Sequence, residues 1–132
     1  MLSVRTALAL RAAGLRWTPA PGDRFVLPHK DMDDEVFVVS DMTIEVLRFP
    51  TGPVIGFNGV TEWALDSIRQ DEALWLPAEH QLRNLLGDRF ARLEADPIHG
   101  YTVTAVVPDG VISRRAPDAA EAYGLVLLDV LT

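Results

Sequence analysis

The sequence predicts an α+β fold, with a largely antiparallel sheet built from hairpins and helices packed mainly on one side. Two observations carry this. Apolar residues alternate in short runs separated by turn formers, most clearly Tyr101, Val103, Ala105 and Val107 against Thr102 and Thr104. Helical stripes sit near the start, the middle and the end of the chain, so the strands do not alternate with helices as βαβ units. At 132 residues, 48% of them apolar and 23% charged, the chain is expected to form one domain over 1–132.

The organising stretch is 72–87. Leu74, Trp75 and Leu76 form an apolar run too short for a helix, and Pro77 leads from it into an amphipathic helix. Ala78, Leu82, Leu85 and Leu86 share one face, with Glu79, Gln81, Arg83 and Asn84 on the other. Gly87 suits the stop.

Upstream, 3–14 reads as a helix whose Val4, Ala7, Leu8 and Ala12 share a face, stopped at Gly14 with Leu15 folding back. Two prolines make 17–22 a rigid connector. A strand follows over 24–28, with Phe25 and Leu27 on one face, and then a polar loop over 29–34. The run 35–40 is apolar on both faces, which predicts a central strand. Residues 42–49 alternate, 50–53 turn, and 54–57 pair back as a strand. Thr61 is placed to cap a short helix reaching about Arg69.

Downstream, 90–95 is a strand, 96–100 a turn and 101–107 a strand. Asp109-Gly110 closes a hairpin onto 111–115. Pro117 and Asp118 open a last helix, whose Tyr123, Val126, Leu127, Val130 and Leu131 form an apolar stripe. Gly124 within it costs helix propensity and so points to close packing. Strands 24–28 and 111–115 are expected at sheet edges, the first blunted by Pro28 and the second by Arg114 and Arg115.

Composition excludes several functions. With no cysteine there are no disulfides, no thiol catalysis and no Cys-based zinc sites. A net charge of −7 repels phosphate backbones, and the one adjacent basic pair is Arg114-Arg115, so nucleic acid is not an expected partner. Eleven of the twelve basic residues are Arg, which reads as a GC-rich coding sequence. No apolar run approaches the roughly 20 residues that span a bilayer, and no signal peptide is evident; a cytoplasmic protein without membrane partners is expected. There is no phosphate-binding loop and no nucleophile elbow.

Few residues suggest chemistry. Asp31, Asp33, Asp34 and Glu35, behind His29, offer oxygen ligands for Mg²⁺ or Ca²⁺, but without the glycine and distant glutamate of a calcium loop. A solvated acidic turn explains them as well. His29, His80 and His99 lie in separate segments and read as surface residues. Trp17 and Trp63 fall at element edges, where an aromatic ring serves packing or recognition; Trp75 reads as core.

Gly14-Leu15-Arg16-Trp17 running to Gly22-Asp23-Arg24-Phe25, with Trp63-Ala64-Leu65-Asp66-Ser67, Ala73-Leu74-Trp75-Leu76-Pro77 before Gln81-Leu82, and the segment 119–124, resembles a family of small actinobacterial proteins. It is also similar to the "WLP…QL" proteins of phages and other bacteria. Members of the actinobacterial group often carry a pilus-assembly label, which implies an ATPase whose phosphate loop this sequence lacks. The resemblance brings no catalytic residues.

The expected function is a non-enzymatic cytoplasmic interaction or accessory module, requiring no cofactor. Its partner is a protein or a second copy in a weak homodimer, docking near Arg114 and Arg115, with the acidic run 31–35 of the second copy as one counterpart. The alternative is a small-ligand-binding or divalent-metal-dependent enzyme using 31–35.

Overall fold

The computed structural model describes residues 1–28, 32–39, 44–49, 52–57, 67–69 and 72–132, with backbone alone over 32–34, 44–49, 52–57 and 67–69. Its elements run α1 (Val4–Ala12), β1 (Arg24–Leu27), β2 (Met32–Val38), β3 (Ile44–Phe49), β4 (Gly52–Phe57), β5 (Ser67–Arg69), β6 (Leu74–Trp75), α2 (Glu79–Leu86), β7 (Phe90–Asp96), β8 (Gly100–Val107), β9 (Gly110–Ala116) and α3 (Ala119–Leu131). A 3-10 turn, Gly87–Arg89, joins α2 to β7. The fold is α+β, and the described strands form three antiparallel three-stranded sheets, ordered β2-β1-β6, β3-β4-β5 and β7-β8-β9. Contacts gather into two compact units, one of residues 1–16 with 76–132 and one of residues 17–75.

In the first unit, α3 lies against β8 and β9, while α1 and α2 pack on α3. The sheet's helix-facing residues follow from the register. Phe90 opposes Ala105, Val103 opposes Arg114 and Ala105 opposes Ile112, so these residues share one face. Val103 and Ala105 are fully buried there, and Phe90 stacks on Tyr123 of α3 at 5.7 Å. Asp118 caps α3 by accepting from the Glu121 amide. Of the expected stripe, Tyr123, Val126 and Leu127 are buried, while Leu131 at the helix end is exposed.

Gly124 has the tight neighbour its helix position implied. A Cβ there would collide with Leu2 Cδ1 and lie 3.2 Å from Thr6 Cγ2. The buried side of α1 is accordingly Thr6, Ala7 and Leu10, with Leu2 just ahead of the helix. The expected face with Leu8 and Ala12 is wrong, because both are exposed. Thr6 occupies a core position because its hydroxyl donates to Glu121 Oε2 at 2.5 Å, which removes the cost of burying it. The stop of α1 is as expected. Gly14 N–H donates to Arg11 O and Leu15 N–H to Leu10 O, a Schellman pair made possible by φ of +109° at Gly14.

On α2, Leu82 and Leu86 are buried, but Leu85 is exposed. Pro77 precedes the cap instead of forming the first turn, and the Ala78 amide is satisfied by Gln81 Oε1 at 2.9 Å. Arg83 is not simply solvated, since its guanidinium sits 4.2 Å over the Phe90 ring.

In the second unit, β1 is the central strand, with Phe25, Val26 and Leu27 all nearly inaccessible. Among the described residues β2 lies at one edge of this sheet and β6 at the other. The expected arrangement had β1 and β2 reversed, with 24–28 at an edge and 35–40 central. The short β6 takes the second side of β1, pairing Phe25 with Trp75 and Val26 with Leu74. Phe25, Leu27, Val39 and Ala73 form the core, with Trp17 and Phe37 packed against it. The β3–β4 hairpin forms as anticipated, but β4 begins at Gly52, inside the expected 50–53 turn, and pairs there with Phe49. Of the helix expected from Thr61, residues 61–66 lie outside the described residues. Its end, Ser67–Arg69, is strand β5, because pairing with Val54, Ile55 and Gly56 overrides a weak local helix pattern.

Two stability outcomes follow. Leu82→Ala and Leu127→Ala should each cost about 2–5 kcal/mol in denaturant melts, while Glu79→Ala and Asn84→Ala should cost less than about 0.5 kcal/mol. Gly124→Ala gains up to ~1 kcal/mol of helix propensity but overpacks Leu2 and Thr6 at about 1–3 kcal/mol, so it should destabilise. In a Leu2→Ala background the same change should become stabilising; an unchanged sign in that double-mutant cycle would refute the close approach.

Candidate functional site

The acidic run does not form the polar loop expected of it. Strand β2 begins at Met32, which opposes Leu27, so Asp33, Asp34 and Glu35 belong to a strand backbone. Asp31 and His29 lie outside the described residues. Glu35 is exposed. Among the described residues no three His, Asp or Glu side chains gather where a cation could be held.

Trp63 lies outside the described residues. Trp17 is half-buried. Its indole N–H donates to Asp23 Oδ2 at 2.9 Å, and its ring stacks on Trp75 at 6.5 Å and leans on Phe25 at 5.5 Å. Asp23 is itself buried and its carboxylate accepts from the Ala20 amide at 3.0 Å, while its backbone carbonyl accepts from Val39 N–H and Gly22 N–H donates to Val39 O. This assembly fastens the 17–22 connector to the β1–β2 pair, so Trp17 packs and positions. Trp75 Nε1 is sealed from solvent without a hydrogen-bond partner among the described residues.

Arg114 and Arg115 do not form a joint patch. A strand sends neighbours to opposite faces. Arg114 goes to the helix side, where Nε donates to Asp129 Oδ2 at 2.7 Å and Nη2 to Oδ1 at 3.0 Å. That pair raises the Arg114 pKa and holds the Asp129 carboxyl below its usual range. Arg115 goes to the open face. There Thr102 opposes Arg115 and Glu94, Thr104 opposes Ser113 and Arg92, and Val106 opposes Val111. The open face is largely polar. Arg92 pairs with Glu94 at 3.0 Å and Thr104 bonds Ser113 at 2.9 Å, leaving Val106 and Val111 exposed at the hairpin end.

The histidines show no assembled chemistry among the described residues. His80 is exposed on α2. His99 sits in the β7–β8 turn with its Nδ1 2.8 Å from Asp96 Oδ2, and Asp96 also accepts from the Ile98 and His99 amides. That set of bonds, the His99 ring first, depresses the Asp96 pKa. Turn formation accounts for it.

The feature that sequence reasoning missed is the edge of β2. Among the described strands only β1 pairs with it, and Val36 and Val38 are 38% and 58% exposed. The edges of the first unit carry charge: Arg92, Glu94 and Asp96 on β7, and Arg114 and Arg115 on β9. Beyond Asp33, Asp34 and Glu35, the stretch Val36–Val38 of β2 carries neither charge nor proline, the usual protections of an edge. The sequence signal was present in the four apolar residues after Glu35, but it reads equally as a central strand.

One electrostatic outcome is specific. Because the folded Asp129 pKa is depressed, its contribution is present above the unfolded carboxyl pKa near 4 and disappears as pH falls through the lower folded value. Both partners are partly exposed, so Asp129→Asn should cost only about 0.5–1 kcal/mol at neutral pH. In melts at descending pH, the difference from the parent should vanish in acid; a constant difference would deny the ion pair its role. Comparison with protein-family models, curated proteins and solved structures finds no match for this chain.

Proposed function

We propose that this chain is a non-enzymatic interaction module that takes up an extended segment of a partner protein along the open edge of β2. The observation that carries the reading is the exposure of Val36 and Val38 on an edge strand with no further strand beside it among the described residues. Such an edge offers unpaired backbone groups for affinity, and alternate side-chain positions for specificity. Asp33, Asp34 and Glu35 lead into the apolar half, so the favoured partner segment, run antiparallel, has apolar residues followed by basic ones.

A chain without cysteine needs no oxidising compartment, which supports a cytoplasmic setting for this role. The resemblance to the small actinobacterial and "WLP…QL" proteins is compatible with it, since that resemblance carries no catalytic residues. No observation favours the metal-dependent enzyme over this reading. The acidic run it relies on belongs to the same strand edge.

A peptide of alternating valine and lysine tests the proposal by NMR titration of the ¹⁵N-labelled chain. Amide shifts should concentrate on residues 35–38 and be lost in Val38→Lys, which places a charge on the edge. Shifts confined to β9, or none at all, would overturn the assignment to β2.

A further inference from the structure

We infer that the β2 edge of one copy pairs with the β9 edge of a second copy, an inference that rests on the interaction-module reading and names the partner. Both strands lie at sheet edges, each with a single neighbouring strand among the described residues. Their sequences are complementary when run antiparallel. β2 reads Asp33-Asp34-Glu35-Val36-Phe37-Val38, and β9 in reverse reads Arg115-Arg114-Ser113-Ile112-Val111. One register places Asp34 opposite Arg115, Glu35 opposite Arg114, Val36 opposite Ser113, Phe37 opposite Ile112 and Val38 opposite Val111.

The faces agree in this register at Phe37 and Val38, the residues of β2 in regular pairing with β1 ahead of the shift toward Met32. A slip by one residue would reverse every side chain, so facing is a real constraint. Phe37 stacks on Phe25 at 5.5 Å on the core side of its sheet, and Ile112 belongs to the helix side of β9, so the two covered faces continue into each other. Val38 and Val111, 58% and 65% exposed, meet on the open side and cover one another. Opposite charges stand directly across from each other at the acidic end, an arrangement that favours cross-strand pairing. Arg114 keeps Asp129 and adds Glu35, while Arg115 has only the more distant field of Asp96 among its described neighbours. The contact joins two different surfaces, so two copies close reciprocally or further copies extend the array. The net charge of −7 on each copy opposes association, which keeps it weak.

The cysteine-free chain permits a direct test. Antiparallel partners lie roughly 4.5–5.5 Å apart at Cα, within the ~4.4–6.8 Å that a disulfide spans. Full-length Val38→Cys and Val111→Cys proteins, mixed under mild oxidation, should give a linked dimer several-fold above either variant alone. Adding Arg115→Glu to the Val111→Cys chain should reduce the yield. Adding Asp34→Arg to the Val38→Cys chain should then restore it, an outcome that loss of folding cannot imitate. Two results overturn the inference: linkage no greater than in a mixture of Ile98→Cys and Val38→Cys proteins, or linkage of Val38→Cys with itself equal to that of the mixture. If the valine–lysine peptide still binds 35–38 in either case, the module reading stands and only the self-pairing falls. If the peptide also fails to bind, both fall.

Discussion

The close approach of α1 to α3 at Gly124 is the constraint on which the first unit rests. Gly124 leaves no side chain between the helices, so Leu2 and Thr6 come into direct contact with the α3 backbone. The hydrogen bonds one turn earlier follow from that proximity. Glu121 accepts from the Ser3 amide at 2.9 Å, the Ser3 hydroxyl at 3.1 Å and the Thr6 hydroxyl at 2.5 Å. A carboxylate in the first turn of α3 also lies where the helix dipole favours an anion. Apolar contact and polar satisfaction thus converge on one small seam. With α1 seated, α3 is covered by α1 and α2 on one side and by β8 and β9 on the other.

Much of this unit was legible because its signals are local. The alternation of β8, the tight turn at Pro108-Asp109 and the Schellman stop at Gly14 each depend on a few adjacent residues. Gly124 was legible as a close approach because a glycine inside an apolar stripe has little other use. The face of α1 was not, because Thr6 counts as polar until the distant Glu121 hydroxyl acceptor is known. Arg83 was misread for a similar reason, since Phe90 lies seven residues on and across a turn.

The candidate site was less legible. Whether an apolar strand is central or at an edge is decided by its neighbours, and β6 contributes only two residues beside β1. Phe25, Val26 and Leu27 gave too short a run to reveal burial on both sides, whereas 35–40 appeared to demand it. The Arg114-Arg115 pair illustrates the opposite error. Adjacent in sequence, they read as one patch, yet the pleat separates them and gives Arg114 to Asp129.

Trp17 and Trp75 are the first and last residues of the second unit, and their rings lie 6.5 Å apart and nearly parallel. The segment between them therefore leaves and rejoins the chain at almost the same place, as an insertion between α1 and α2. On the ribosome this has a temporal consequence. Residues 17–75 are contiguous and can begin to fold as they emerge, whereas α1 must wait until α3, more than a hundred residues later, has been synthesised. Until then Leu2, Ala7 and Leu10 have no native surface to cover them. The insertion thus lengthens the time for which the apolar side of the nascent first helix stays without its native cover.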